Sequence, residues 1–322
     1  MKLALGVSDL AEPTLRFAAQ YGVTHLKVDA ALFLGEDQRG VVDEERLADA
    51  VRRTADYGIE IGVVLLPQGR ETQHWNIRLG TPGRESEIED VCRTIGIVGR
   101  QGIPVVEYVF NLLGNRRPDA EPRGRGGAVV SWFDGEWADG LPGDDALGAE
   151  PEEIWDRIAR FLERAVPAAE KAGVRLGCHH DDPPVPGIGG ETRVLCSLEG
   201  MKRLVETVPS DSNGLTLCLG TVAEMGEDVP EVIRWFGSRR KINHVHFRNV
   251  KGSLPHFEES FLDDGDTDML EAMRAFKEVD YDGTLIPDHV PGSDEDSFCR
   301  GSAFALGYMK ALMKAAGIQG GA

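Results

Sequence analysis

Positive charge is scarce in this chain of 322 residues: 35 Lys and Arg stand against 54 Asp and Glu, a formal balance of −19. Polyanions are gripped by clustered Lys and Arg, so nucleic acid is not expected as a partner. Cysteine is sparse as well. Cys92, Cys178, Cys196, Cys218 and Cys299 are odd in number and widely spaced, which argues against a disulfide framework and for a reducing, cytoplasmic setting. Long apolar runs are missing too. The N-terminal stretch reaches Asp9 and Glu12 too soon for a signal peptide, and no run approaches the roughly 18 apolar residues of a membrane span, so no membrane partner is expected. The first apolar run is followed by Ser8-Asp9-Leu10-Ala11-Glu12 rather than a G-x-G-x-x-G or Walker loop, which removes dinucleotide and nucleotide-phosphate sites from consideration.

What is present is enough apolar residue, 41%, for a sizeable core, and a regular alternation of β-rich runs with amphipathic Ala/Glu/Arg-rich segments. Strands are expected at 3–7, 25–29, 60–66, 105–111, 175–180, 214–220, 242–249 and 284–289. Helices are expected at 12–20, 43–57, 84–100, 151–172, 197–207, 229–236, 267–277 and 302–315. Gly58, Gly102 and Gly173 stand where several of these helices should stop. Repeated βα units with right-handed crossovers close most economically into a (β/α)₈ TIM barrel, read here as a single α/β domain over 1–322. A doubly wound sheet, the alternative, would need about six strands and a glycine-rich phosphate turn. The Gly-, Pro- and Arg-rich stretch 112–150, with Arg116, Arg117, Arg123 and Arg125, reads as a long loop after the fourth strand, either a lid over the mouth or a surface insertion. The shorter loop 68–83, with Arg70, His74, Trp75 and Arg78, is expected at the same end, where it would suit a hydroxylated acid.

Six of the eight histidines fall between His179 and His289, and five of those lie on or at the tips of the fifth, seventh and eighth expected strands. Side chains alternate along a strand, so His244, His246 and Arg248 share a face. On neighbouring tips, His179, Cys218, His246 and Asp288 can converge on one point, a mixed N/S/O set suited to a divalent transition metal. Taken singly, each has a duller reading: core filling for the cysteine, a hydrogen-bonded structural role for the histidines, a helix cap for the aspartate.

From Gly173 to Asp288 the chain resembles the metal-dependent D-mannonate dehydratases. The likeness rests on the H-x-D-D-P-P stretch at His179 to Pro184, the cysteine strand Leu217 to Gly220, the run His246-Phe247-Arg248-Asn249, the segment Gly265-Asp266-Thr267-Asp268-Met269, and Pro287-Asp288-His289. The resemblance implies a TIM barrel with His179, Cys218, His246 and Asp288 as metal ligands. It implies Mn²⁺, with Fe²⁺ or Zn²⁺ as alternatives, Zn²⁺ being favoured by thiolate and imidazole on affinity order alone. It also implies a hydro-lyase of hexuronate breakdown, taking D-mannonate to 2-keto-3-deoxy-D-gluconate and water. The chain departs from the family pattern after its fourth strand, in the residues after His289, and near the last helix, where Ser302-Ala303-Phe304 stands in place of a tyrosine and Tyr308 comes one turn later.

Dehydration removes a proton beside a carboxylate and a hydroxyl from the next carbon. Arg248 is the expected carboxylate clamp, its fork matching two oxygens. His289, beside Asp288, is the expected acid or base at neutral pH, provided the chain turns at Asp288; Pro287, Pro291 and Gly292 favour such a turn. Its alternative is a supporting partner of Asp288. Asn111 and Asn249 are further candidates for binding substrate. His180, Asp182 and His244 are expected to support the ligands from behind, and Glu107 is either a general base or half of an ion pair inside the barrel. Two other functions stay open: a metal-dependent sugar isomerase or epimerase of the xylose-isomerase-like class, and a retired barrel that only binds a sugar acid. Homo-oligomerisation also stays open.

Overall fold

The structure, a computed structural model, describes residues 1–292 and 297–318. Eight strands form a closed barrel: β1 (Lys2–Val7), β2 (His25–Asp29), β3 (Glu60–Leu65), β4 (Val105–Val109), β5 (Arg175–His179), β6 (Asn213–Cys218), β7 (Ile242–Phe247) and β8 (Thr284–Pro287). Every neighbouring pair is parallel, and β1 closes on β8 through Lys2 and Leu3 opposite Thr284 and Leu285. All six residues of β6 and of β7 are buried, because one face meets the barrel interior and the other the helices outside.

Helices follow the strands: α1 (Glu12–Gln20), α2 (Glu44–Ala55), α3 (Arg84–Arg100), α4 (Pro151–Ala172), α5 (Leu198–Thr207), α6 (Val229–Gly237), α7 (Met269–Glu278) and α8 (Ser297–Ala315). Their limits follow local chemistry. Asp43 caps α2 by accepting from the amides of Glu45 and Arg46, and Leu47, Ala50 and Thr54 form its buried stripe. Pro151 starts α4 behind a reciprocal Glu150/Glu153 capping box, and Gly173 ends it at a φ of 68° that favours glycine.

The strand and helix pattern read from the sequence matches this barrel, with departures at the tips. Expected strand 214–220 ends at Cys218, and Leu219–Glu224 is a short helix instead. Expected strand 242–249 ends at Phe247, because Asn249–Ser253 leaves the barrel and turns back through His256–Ser260 as an antiparallel hairpin. That hairpin pairs with Trp132–Asp134 of the 112–150 segment, and Phe133 stacks on Phe257 at 5.3 Å. The long segment is therefore attached to the C-terminal end of the barrel by its own strand. Loop 68–83 departs further. Arg78 is buried and donates to the carbonyls of Asn111, Gln68 and Gly69, while His74 is buried against the carbonyl of Val109. Both brace backbone, His74 through Nε2 alone.

Candidate active site at the C-terminal mouth

The ladder between β6 and β7 sets Cys218 opposite His246, so both side chains leave the same face of the sheet. His179 comes from the end of β5, and its ring lies 4.8 Å from that of His246. The ligand-type atoms of His179, Cys218 and His246 all fall within 4.8 Å of one another, and all three residues are buried. Asp288 joins from the turn after β8, its Oδ2 3.3 Å from His246 Nδ1. Of the four residues expected to converge, His179, Cys218 and His246 share one cluster, and Asp288 meets it through His246.

Local bonds prepare these groups to coordinate. His179 Nδ1 donates to the carbonyl of His180 at 2.6 Å; a carbonyl only accepts, so the proton sits on Nδ1 and the Nε2 lone pair is free. The amide of Cys218 donates to His180 Nε2 at 3.1 Å, which ties the β6 tip to β5. Burial would push the Cys218 thiol up, but the Arg248 guanidinium, whose Nε donates to Sγ at 3.0 Å, and the imidazoles of His179 and His246 hold it well below its ordinary value. Burial and Lys27 oppose charge on His246, yet Asp288 and Glu107 on either side carry its pKa well above the usual imidazole range.

A second polar layer lies within reach of His246. Lys27 Nζ of β2 sits 3.1 Å from Glu107 Oε1 and 3.0 Å from His246 Nε2, and His244 Nδ1 meets Thr284 Oγ1 at 2.7 Å. Burial raises the Glu107 carboxyl, but Lys27, His246 and His244 bring it far below its usual range, so Glu107 is an ionised partner inside the barrel. Lys27 was missed in the sequence, although the alternation His25, Lys27, Asp29 marked a polar inward line on β2.

The mouth beside this cluster is a cavity of about 840 Å³ lined by Ser8, Lys27, Asp29, Gln38, Asp288, His289 and Ser302 among others. His289 reaches it because the chain turns after Pro287: His289 adopts a φ of 44°, a left-handed conformation uncommon outside glycine. Its Nδ1 donates to Glu259 Oε1 at 2.7 Å, and its Nε2 lies 2.9 Å from the Asn115 amide. Burial opposes charge on this ring, but Asp288 and Glu259 outweigh it and raise the pKa.

Arg248 corrects the sequence reading. Expected as a clamp for a substrate carboxylate, it is 1% exposed and all its donors are taken: Nε by Cys218, Nη1 by Glu259 and Glu224, Nη2 by Asp182 at 2.6 Å and Thr221 at 2.7 Å. A Cβ on Gly220 would meet its side chain at 2.6 Å, so only glycine there leaves room for it. Asp182, expected to orient a ligand imidazole, instead bridges Arg248 and Arg117. Asn249 is committed as well: it donates to the carbonyls of Leu262 and Thr267 and accepts from the amides of Val250 and Thr267. It thereby pins the Gly265 to Met269 segment, whose Asp268 caps α7. Asn111, buried, accepts from the amide of Gly114 and bonds Asp181. Glu224 and Glu259 escaped the sequence reading, and Arg117 stood out only as part of an Arg-rich loop, because a short helix, a hairpin and a long loop bring them to the mouth, with no periodic signal to mark them.

A closed parallel barrel with a buried imidazole and thiolate cluster at the C-terminal ends of its strands has the layout of a barrel enzyme. D-psicose 3-epimerase from Clostridium cellulolyticum H10 shares the fold alone, with a TM-score of 0.66 at 14% identity over 97% of this chain and 99% of that one. The chain belongs to the D-mannonate dehydratase family. The family model described as D-mannonate dehydratase (UxuA) matches residues 146–321. Mannonate dehydratase from Thermotoga neapolitana is 31% identical over 75% of this chain and 79% of its own length, and that from Enterococcus faecalis 31% identical over 71% and 73%. The crystal structure of mannonate dehydratase from Streptococcus suis superposes with a TM-score of 0.88 at 26% identity, covering 100% of this chain and 97% of the other. No helix among the described residues is long and apolar enough to cross a membrane.

Proposed function

We propose that the protein is a hydro-lyase that converts D-mannonate to 2-keto-3-deoxy-D-gluconate and water in the mouth beside His289. The observation that carries this reading is the meeting of His179, Cys218, His246 and Asp288 beside the cavity lined by His289, in a chain of this family. Their donor chemistry fits a divalent metal: a stabilised thiolate, an imidazole whose free nitrogen is set by its other hydrogen bond, a second imidazole whose Nδ1 faces the Asp288 carboxylate, and that carboxylate. Such an ion, Mn²⁺ on the family resemblance, would neutralise charge that builds on the substrate carboxylate as the neighbouring proton leaves.

In this reading His289 carries the proton that the departing hydroxyl needs. Its ring is oriented by Glu259 through Nδ1, so Nε2, which accepts from the Asn115 side chain in this structure, is the nitrogen that exchanges the proton once substrate takes the place of Asn115, and Asp288 and Glu259 raise the ring's pKa. Ser302 lines the cavity where the family resemblance expects a tyrosine, and Tyr308 stacks on Phe304, away from the cavity lining. His289 takes the place of that tyrosine as proton donor in this reading. Lys27 takes the substrate carboxylate in place of Arg248, being the other basic side chain that lines the cavity, while Ser8, Asp29 and Gln38 face the hydroxylated chain. The buried thiols of Cys178 and Cys218 suit a reducing cytoplasm, and residues 112–150 serve the single barrel domain as a cover for its mouth.

The test is Mn²⁺-loaded protein with D-mannonate, followed by a thiobarbiturate assay for the 2-keto-3-deoxy acid. Product formation is expected; bound metal with no product from mannonate overturns the substrate assignment and turns attention to the epimerases that share the fold. His289→Asn is expected to lower kcat by about 10²-fold or more with unchanged metal content.

A further inference from the structure

The 112–150 segment holds His289 from two directions. Asn115 lies at Nε2, and Arg117 reaches the oxygen that receives Nδ1: Glu259 Oε1 accepts from both His289 and Arg117. The Arg117 side chain is only 5% exposed, with its guanidinium 4.9 Å over the Phe257 ring. Its two Nη groups meet carboxylates from three separate elements: Asp182 beyond β5, Glu224 in the helix after β6 at 3.1 Å, and Glu259 in the hairpin after β7. Taking a guanidinium out of water is costly, so this fork is held by the geometry of its partners. If Arg117 were only a brace for the segment, its loss would act on folding alone and be indifferent to His289. The shared oxygen says otherwise. Arg248 Nη1 reaches the same oxygen and lies 3.2 Å from His289 Nδ1, so without Arg117 the Glu259 carboxylate keeps one guanidinium but loses the second, which together with it fixes the carboxylate's orientation toward the ring.

We propose that Arg117 is a positioning residue for the dehydration: its fork fixes Glu259, and Glu259 fixes the His289 imidazole in the mouth. This rests on His289 being the proton donor, and the experiment separates the two ideas. Arg117→Met, Arg117→Lys, His289→Asn and the double variant Arg117→Met/His289→Asn are each measured for kcat, KM on D-mannonate, bound Mn²⁺ and thermal melting. Arg117→Met is expected to lose about tenfold or more in kcat, with KM and bound metal within about twofold of the parent, and to cost almost nothing further once His289 is Asn. Arg117→Lys keeps the charge without the fork, so it is expected to keep its melting temperature and still lose several-fold in kcat; should Arg117→Met not fold, this variant decides. An equal loss in both backgrounds, or full kcat in Arg117→Lys, overturns the proposal while leaving His289 as the acid. Near parental kcat in His289→Asn overturns the reading of His289, and the proposal with it.

Discussion

Replacing Arg248 with Met tests whether this side chain binds substrate or holds the site together. The substitution keeps most of the apolar stem and removes every donor, leaving Asp182, Glu224, Glu259 and the Cys218 thiolate with Arg117 as the remaining guanidinium in contact with those carboxylates. Breaking a buried pair on one side costs about 3–5 kcal/mol, because the other charge stays desolvated. Part of that cost is relieved by protonation, since burial and the neighbouring carboxylates already push Glu224 up to about 8. At roughly 2–3 °C per kcal/mol for a chain of this size, the melting temperature should fall by about 6–15 °C at pH 8. In the folded variant the stranded carboxyls have raised pKa values, so they take up protons and the variant regains stability as pH falls. The parent's Asp182, held far below its usual range by Arg117 and Arg248 against its own burial, keeps its contribution until the pH drops below the unfolded carboxylate range. The gap between parent and variant should therefore narrow between pH 8 and pH 5. Bound metal should fall as well, because the Cys218 thiol loses its main stabilising charge. Melting scans at the two pH values, metal analysis and steady-state kinetics make the assay. A variant with parental melting temperature and metal content but a raised KM would mean that Arg248 meets the substrate after all.

Cys218→Ala is expected to lose most bound metal while Cys196→Ala, whose sulfur donates to the carbonyl of Arg193, keeps it; equal loss from both, read by elemental analysis, would point to misfolding instead. Glu224→Gln should gain stability over the parent as pH rises. With a folded pKa of about 8 against an ordinary 4.5, the parent's Glu224 costs stability progressively between those values, and a flat difference in melting temperature from pH 5 to pH 8 would refute this. Lys27→Met should raise KM for D-mannonate and cost about 3 kcal/mol by stranding Glu107, and Lys27→Met/Glu107→Gln should recover most of that stability; a double variant as unstable as the single would show the pair is not the cause.

The amino-acid order alone determined the barrel and its metal-type cluster. Strand-length apolar runs such as Ile61 to Leu65 must be buried on both faces, and their alternation with capped amphipathic helices leaves few closures other than eight parallel strands. Cys218, His246 and His179 were legible because each lies at or next to the end of a strand, and strand ends of a barrel meet at one rim. Only tertiary structure decided what surrounds them. Arg248 looked free because its partners Glu224, Glu259 and Asp182 stand on a helix, a hairpin and a turn whose meeting no local period encodes. Arg117 lay in a stretch that reads as loop, and it becomes part of the mouth only because Trp132–Asp134 pairs with a hairpin more than 120 residues later. Periodicity reports which face of an element is buried. Which charges share that burial depends on long-range closure, and desolvation then forces them to pair.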